Sequence, residues 1–178
     1  MASPVGHAIV GLTAAAVVAR TAGAPPSPGL WGGAIIAAGL PDLDLALGLV
    51  GLRGPQFHRN ASHSILVIVA VGLVAAAVAF GLRMDVDWRV AVCWFVALLS
   101  HPLLDVCTTG PTSAAGGWGI AMFWPLSPRR WYLRRPLFDP GDALVRCRSV
   151  RCVWQCLRPE LLRLGGVCGA VVLMTLLV

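Results

Sequence analysis

The chain has no lysine, one glutamate (Glu160), one tyrosine and four histidines in its 178 residues. The first two shortages each remove a class of chemistry. Lipid phosphatases of the phosphatidate class act through a lysine motif, which this chain cannot supply. A zincin protease needs His-Glu-x-x-His on one helix, and the lone glutamate has no histidine near it. No Gly-x-Ser-x-Gly elbow occurs, so a serine hydrolase of that type is excluded as well. Six cysteines are present, but none forms the paired CxxC of a zinc knuckle. Cys93 and Cys168 fall in apolar segments and Cys107 closes one. The spacing Cys147-x4-Cys152-x3-Cys156 therefore reads as reduced cytosolic thiols, not as a second metal site.

Charge is also scarce, at 12% of residues, whereas 57% are hydrophobic and the mean hydropathy is +0.78. These values belong to a membrane protein rather than a soluble globule. The length fits one domain, residues 1–178, with a motif-bearing part over 1–135 and a less typical part over 136–178. No basic n-region precedes the first apolar stretch, so no signal peptide is expected. The net charge of +6 comes entirely from arginine. In a membrane protein arginine marks cytoplasmic loops, so the bilayer is the expected partner and no nucleic acid is expected. Oligomeric state is not legible.

The expected fold is all-α: a polytopic bundle of four or five apolar helices with a long Arg/Trp/Pro-rich cytoplasmic loop. The segments run from about Val5 to Val18, from Leu30 through Pro41 to Leu52, from Ser64 to Leu82, from Trp88 to Val106, and from Leu161 to Val178. The third is the cleanest. The first two fall short of the roughly 20 residues a full span requires, or are interrupted. The stretch from Thr108 to Pro159 is too polar to cross. If the segments alternate, Arg53, Arg59 and nine arginines from Arg129 to Arg163 share one side against Arg20, Arg83 and Arg89 on the other. Eleven against three makes the first side cytoplasmic.

What polar chemistry there is concentrates in His7, Asp42, Asp44, His58, His63, His101 and Asp105. The alternation brings all seven to the cytoplasmic end of the bundle. Ionisable groups at membrane depth are costly and usually functional, and imidazoles with carboxylates bind zinc or a similar divalent ion. His101 and Asp105 are four apart, on one helix face. Asp42 and Asp44 are two apart and would point nearly oppositely in a regular helix, so whether one or both reach a metal stays open. Asn60 or Ser62 is expected to cap the third helix, with His63 in its first turn.

The order Gly6-His7, Leu40-Pro41-Asp42-Leu43-Asp44, His58-Arg59-x3-His63-Ser64 and Ser100-His101-x3-Asp105 resembles the YdjM-like inner-membrane, metal-dependent hydrolases. Thr109-Gly110 and Phe123-Trp124-Pro125 also look like that family, over residues 1 to about 135. Asn60 departs from it, where the family often has glycine. The ligand order is more distantly similar to the zinc-dependent phospholipase C and single-strand nuclease group, whose further histidines are absent here. The resemblance implies one or two divalent ions, Zn2+ being the expected metal, and hydrolysis of a lipid or lipid-linked phosphoester at the cytoplasmic face of the inner membrane. His58, His63, His101 and Asp105 would be ligands, with His7 binding a second ion or orienting the first. Asp42 or Asp44 would serve as ligand or general base. Arg59 would contact a phosphate oxygen or anchor the protein at the membrane surface. The stretch from Trp118 to Trp131 would lie in the headgroup layer. A non-catalytic metal-binding sensor or scaffold is the alternative.

Overall fold

A computed structural model describes residues 2–52, 58–111, 119–137 and 147–177. Arg53, Trp118 and Arg146 lie outside them. Five α-helices are present, with no strand among the described residues: α1 (Pro4–Ala22), α2 (Pro28–Gly39), α3 (Ile65–Gly81), α4 (Trp88–Thr108) and α5 (Val150–Leu177). A 3-10 rod, Leu40–Val50, continues α2, and a 3-10 turn, Ala61–His63, precedes α3.

Local chemistry sets these bounds. Ser3 caps α1 by accepting the Gly6 N–H, Pro4 takes the first helical position, and Gly23 ends the helix at φ 66°. Ser27 and Pro28 repeat the arrangement at α2. Asp87 caps α4 by accepting the Arg89 N–H. Ser64, rather than Asn60 or Ser62, caps α3. His63 accordingly ends the 3-10 turn and does not enter the helix.

The bundle centres on α1, α2 and α4, which pack pairwise. Their shared core is built from small residues: Ala15, Ala19, Ala34, Ala37, Cys93 and Ala97, with Leu30. Small side chains let backbones approach closely, which is how helices associate where lipid removes the hydrophobic drive between them. At Gly11 even a methyl group would collide with Ala38. Trp94 ties α4 to α2 by donating its indole N–H to the Leu30 carbonyl at 3.0 Å. Among the described residues helix α3 packs mainly on α4 and on the 3-10 turn before it, and it exposes Val71, Leu73, Val74, Val78 and Phe80, an apolar surface suited to lipid. Helix α5 packs on α1.

Three helical rods are long and apolar enough to cross a membrane: Pro4–Ala22, Pro28–Leu47 and Trp88–Thr108. The sequence expectation is reversed here in one respect. The first two segments reach span length, while the cleanest one forms only the shorter apolar helix Ile65–Gly81. Pro41 does not stop the second segment. It ends the α-helical register but not the rod, which runs on with 3-10 geometry. The last helix also begins at Val150 instead of Leu161, carrying Arg151, Arg158 and Glu160 inside it.

Candidate metal centre

The seven polar residues meet at one end of the bundle. His7 comes from the first turns of α1, Asp42 and Asp44 from the 3-10 rod, His58 and His63 from the segment before α3, and His101 and Asp105 from the last turns of α4. His7, His63, His101 and Asp105 are buried to within 1% of completely, and Asp42 is the most accessible of the carboxylates at 16%. Convergence from four separate elements is what the alternating topology predicts.

Asp42, His63, His101 and Asp105 form the inner group. Their donor atoms all lie within 4.8 Å of one another. His63 Nε2 is 3.1 Å from His101 Nε2, 3.6 Å from Asp42 Oδ1 and 3.3 Å from Asp105 Oδ2. His101 Nε2 is 3.4 Å from Asp42 Oδ1 and 3.7 Å from Asp105 Oδ2. A tetrahedral ion with bonds of about 2.0–2.2 Å holds its donors about 3.3–3.6 Å apart. The measured edges bracket that range. Asp42 Oδ1 and both oxygens of Asp105 are buried with no hydrogen-bond donor, a costly state for a carboxylate unless a cation compensates it. The residues present fit a divalent ion.

The tautomer of His101 is fixed by its surroundings. Its Nδ1 faces the Ala38 carbonyl at 2.6 Å. A carbonyl only accepts, so Nδ1 carries the proton and Nε2 turns a lone pair to the cluster. Pro41 leaves that carbonyl available, because in the 3-10 register the donor to Ala38 would be the N–H that Pro41 lacks. His63 is oriented from its far side too. Its Nδ1 lies 2.9 Å from the Ser62 hydroxyl and 3.6 Å from Asp44 Oδ2. Backing of each imidazole by a second polar group is typical of metal-binding histidines.

Asp42 and Asp44 part company here. Residues two apart on a 3-10 helix point about 120° from each other, against about 160° on an α-helix. The rod therefore presents both carboxylates to His63 from different sides. Asp44 accepts from His58 Nδ1 at 2.5 Å, from the Ser62 hydroxyl and from the Arg59 N–H at 3.3 Å. Its oxygens are engaged by protein donors, whereas Asp42 Oδ1 is not. Asp42 is thus the carboxylate open to an ion in this geometry, and Asp44 is the one that aligns His58 and His63. Asp44, His58 and His63 still form a second group with the proximity of metal ligands, sharing His63 with the first.

Burial by itself would lower the pKa of His63. The Asp105 and Asp42 carboxylates outweigh it and hold the ring's pKa up at about 9 against an ordinary 6.5. Without an ion, a proton on His63 fills the same electrostatic role. His7 belongs to the periphery: its Nε2 is 3.3 Å from Asp105 Oδ1 and its ring stacks on His101.

Arg59 is only 3% exposed and has the left-handed backbone φ of 62°. Its N–H is held by Asp44 and its carbonyl accepts from Ala121 at 3.2 Å. A buried guanidinium is not a surface anchor, so that reading of Arg59 is set aside. The Ala121 contact ties the site to the Gly119–Leu137 strap, where Arg130 donates to the Gly119 carbonyl at 2.8 Å and Arg129 covers the Trp131 ring at 4.5 Å.

Sequence reasoning missed three contributors. Ser62, treated as a helix cap, bridges Asp44 and His63. The Ala38 carbonyl has no sequence signature beyond the proline three residues on. Glu160 is fully buried and accepts the Ser3 N–H at 2.8 Å, pinning α5 to the start of α1 beside His7. A lone glutamate at the head of the last apolar run was the available signal. The cysteine expectation also changes: Cys147 and Cys152 are joined as a disulfide, not free thiols.

A family profile described as YdjM inner membrane protein matches residues 1–178. The Escherichia coli (strain K12) protein named Inner membrane protein YbcI is 37% identical over 103 residues, which cover 55% of this chain and 54% of that protein. The match thus spans about half the length of the curated relative. No solved structure matches.

Proposed function

The chain belongs to the YdjM inner membrane protein family, and from its His/Asp centre we propose that it is a membrane-bound, metal-dependent hydrolase. The substrate class proposed is a phosphoester, lipid or lipid-linked, met at the cytoplasmic face. The single observation that carries this reading is the near-tetrahedral set of Asp42, His63, His101 and Asp105 at one end of three span-length rods. A buried, donor-free carboxylate pair beside two aligned imidazoles has little structural purpose without a cation.

In this reading Asp42, His63, His101 and Asp105 bind one divalent ion, with Zn2+ the expected metal. His7 supports Asp105 and His101 from behind. Asp44 with Ser62 keeps His63 Nδ1 engaged so that Nε2 faces inward. When bound, the ion supplies Lewis-acid polarisation and an acidified water. Asp42, the most accessible of the carboxylates, is the one this reading assigns to the solvent side of the ion, as ligand or general base. Arg59, locked beside Asp44, supplies fixed positive charge for an anionic oxygen. The cytoplasmic orientation rests on the arginine bias.

One observation favours the non-catalytic alternative. Four side chains already complete a tetrahedron, as in closed structural sites, whereas catalytic zinc keeps a position for water. Coordination number therefore discriminates between sensor or scaffold and enzyme. The decisive experiment is metal analysis of protein purified in detergent, together with a phosphoester screen, on wild type, His101→Ala and Asp105→Asn. The hydrolase reading expects a stoichiometric ion and hydrolysis, both lost in the two variants. Hydrolysis that persists in both variants would mark a contaminant, and a stoichiometric ion with a closed shell and no turnover would leave the sensor reading standing.

A further inference from the structure

We propose that Cys147, Cys152 and Cys156 form a second, thiolate-lined metal site that takes a soft or borderline cation of the Cu+ or Zn2+ type. Cys152 and Cys156 are four apart in the first two turns of α5, so their sulfurs share one face. Cys147 lies just before that helix, bonded to Cys152 and with its Sγ 3.6 Å from Cys156 Sγ. All three sulfurs fall within 4.8 Å of one another. A tetrahedral ion with metal–sulfur bonds of about 2.3 Å keeps its sulfurs about 3.8 Å apart. The spacing x4 then x3 lacks the paired CxxC of a zinc knuckle, and the helix start closes the gap instead.

The compartment expected for this segment points to a metal rather than a permanent cross-link. Arg148, Arg151 and Arg158 share this stretch of chain. The same arginines carry the bias that puts this segment on the cytoplasmic side, where thiols are kept reduced. Three sulfurs gathered in a reducing compartment are better suited to an ion than to a lasting disulfide. The Cys147–Cys152 bond is opened by two thiols of the glutathione class. Each gives one electron and one proton, leaving two cysteine thiols and one oxidised glutathione-type dimer. Metal binding then displaces the protons of the three thiols, and an external ligand completes the shell. All three cysteines are partly accessible, so an ion can reach them. Soft thiolates select such cations over the hard ones that suit carboxylates.

The test uses the full-length protein in detergent, reduced with excess glutathione, desalted anaerobically and titrated with Cd2+ alone. Thiolate-to-cadmium charge transfer in the ultraviolet reports sulfur ligation and is blind to the His/Asp centre. The expected result is one equivalent of charge-transfer absorption in wild type and in Asp105→Asn. It should be lost in Cys147→Ser and Cys156→Ser, kept in Cys168→Ser, and absent from the unreduced protein. No band in the reduced wild type would overturn the proposal, as would a full-strength band in Cys156→Ser. Because Asp105→Asn disables the other centre, failure here and failure of the hydrolase reading are told apart.

Discussion

The imidazole of His7 lies flat against that of His101, with ring centroids 3.7 Å apart and planes within 10° of parallel. The two rings come from helices that enter the site end of the bundle from opposite chain directions. Both turn Nε2 to the inner group, but they reach it unequally. His101 offers Nε2 to Asp42, His63 and Asp105, whereas His7 reaches no further than Asp105. His101→Ala is therefore expected to abolish stoichiometric metal. His7→Ala should retain the ion with an affinity weaker by about 10- to 100-fold, the usual penalty for losing a supporting partner. Equilibrium competition against a graded series of chelators would measure both. Equal losses in the two variants would place His7 among the ligands.

A parallel contrast separates the two aspartates of the 3-10 rod. Asp44 is engaged by His58, Ser62 and the Arg59 N–H, so Asp44→Asn removes an orienting group and should cost about 10- to 100-fold in metal affinity. Asp42→Asn removes a donor that nothing else satisfies and should eliminate tight binding. Metal-to-protein stoichiometry adds a second readout. If wild type holds two ions and Asp44→Asn only one, the Asp44–His58–His63 group is a second site and the orienting role is wrong.

Much of this was legible in the sequence because the motifs and the topology constrain each other. Polar residues at the ends of alternating apolar segments have few places to go, and His101-x3-Asp105 fixes its own helical face. The rest depended on features that no pattern encodes. Asp42 and Asp44 could be separated only once the rod was seen to be 3-10, since the angle between them follows from that geometry. The acceptor for His101 is a backbone carbonyl, which leaves no trace in side-chain identity. Glu160 lies more than 150 positions from Ser3, whose N–H it accepts. Helix α5 begins early because Val150–Glu160 is helical despite being polar, a case where the apolar run marks only half of the element.

The raised pKa of His63 sets a pH dependence. A metal must displace the His63 proton below about pH 9, so affinity should climb about tenfold per pH unit from neutrality towards about 9 and then level off. Metal-free stability should run the other way. The folded pKa lies above the ordinary 6.5, so the stabilisation is complete below about 6.5 and is lost as pH rises through about 9. Thermal unfolding of metal-free and metal-loaded protein across pH 6 to 10 in ~1-unit steps covers both limbs. Parallel curves for the two forms would contradict the assignment.

Packing and ligation are coupled through Ala38. Its side chain faces Gly11 across the α1–α2 contact, and its carbonyl holds His101 Nδ1 at 2.6 Å. A methyl group at Gly11 has no room unless α2 moves, and overpacking of this kind costs about 1–3 kcal/mol. Movement of α2 there carries the Ala38 carbonyl with it, so Gly11→Ala should weaken metal binding as well as lower thermal stability. Gly33→Ala is the matching control. It crowds Trp94 of α4 at another point on α2, away from the Ala38 carbonyl that faces His101 Nδ1. The two variants should lose comparable stability, while only Gly11→Ala raises the metal dissociation constant, by about tenfold or more. Equal metal affinity in both would mean that His101 keeps its alignment without Ala38.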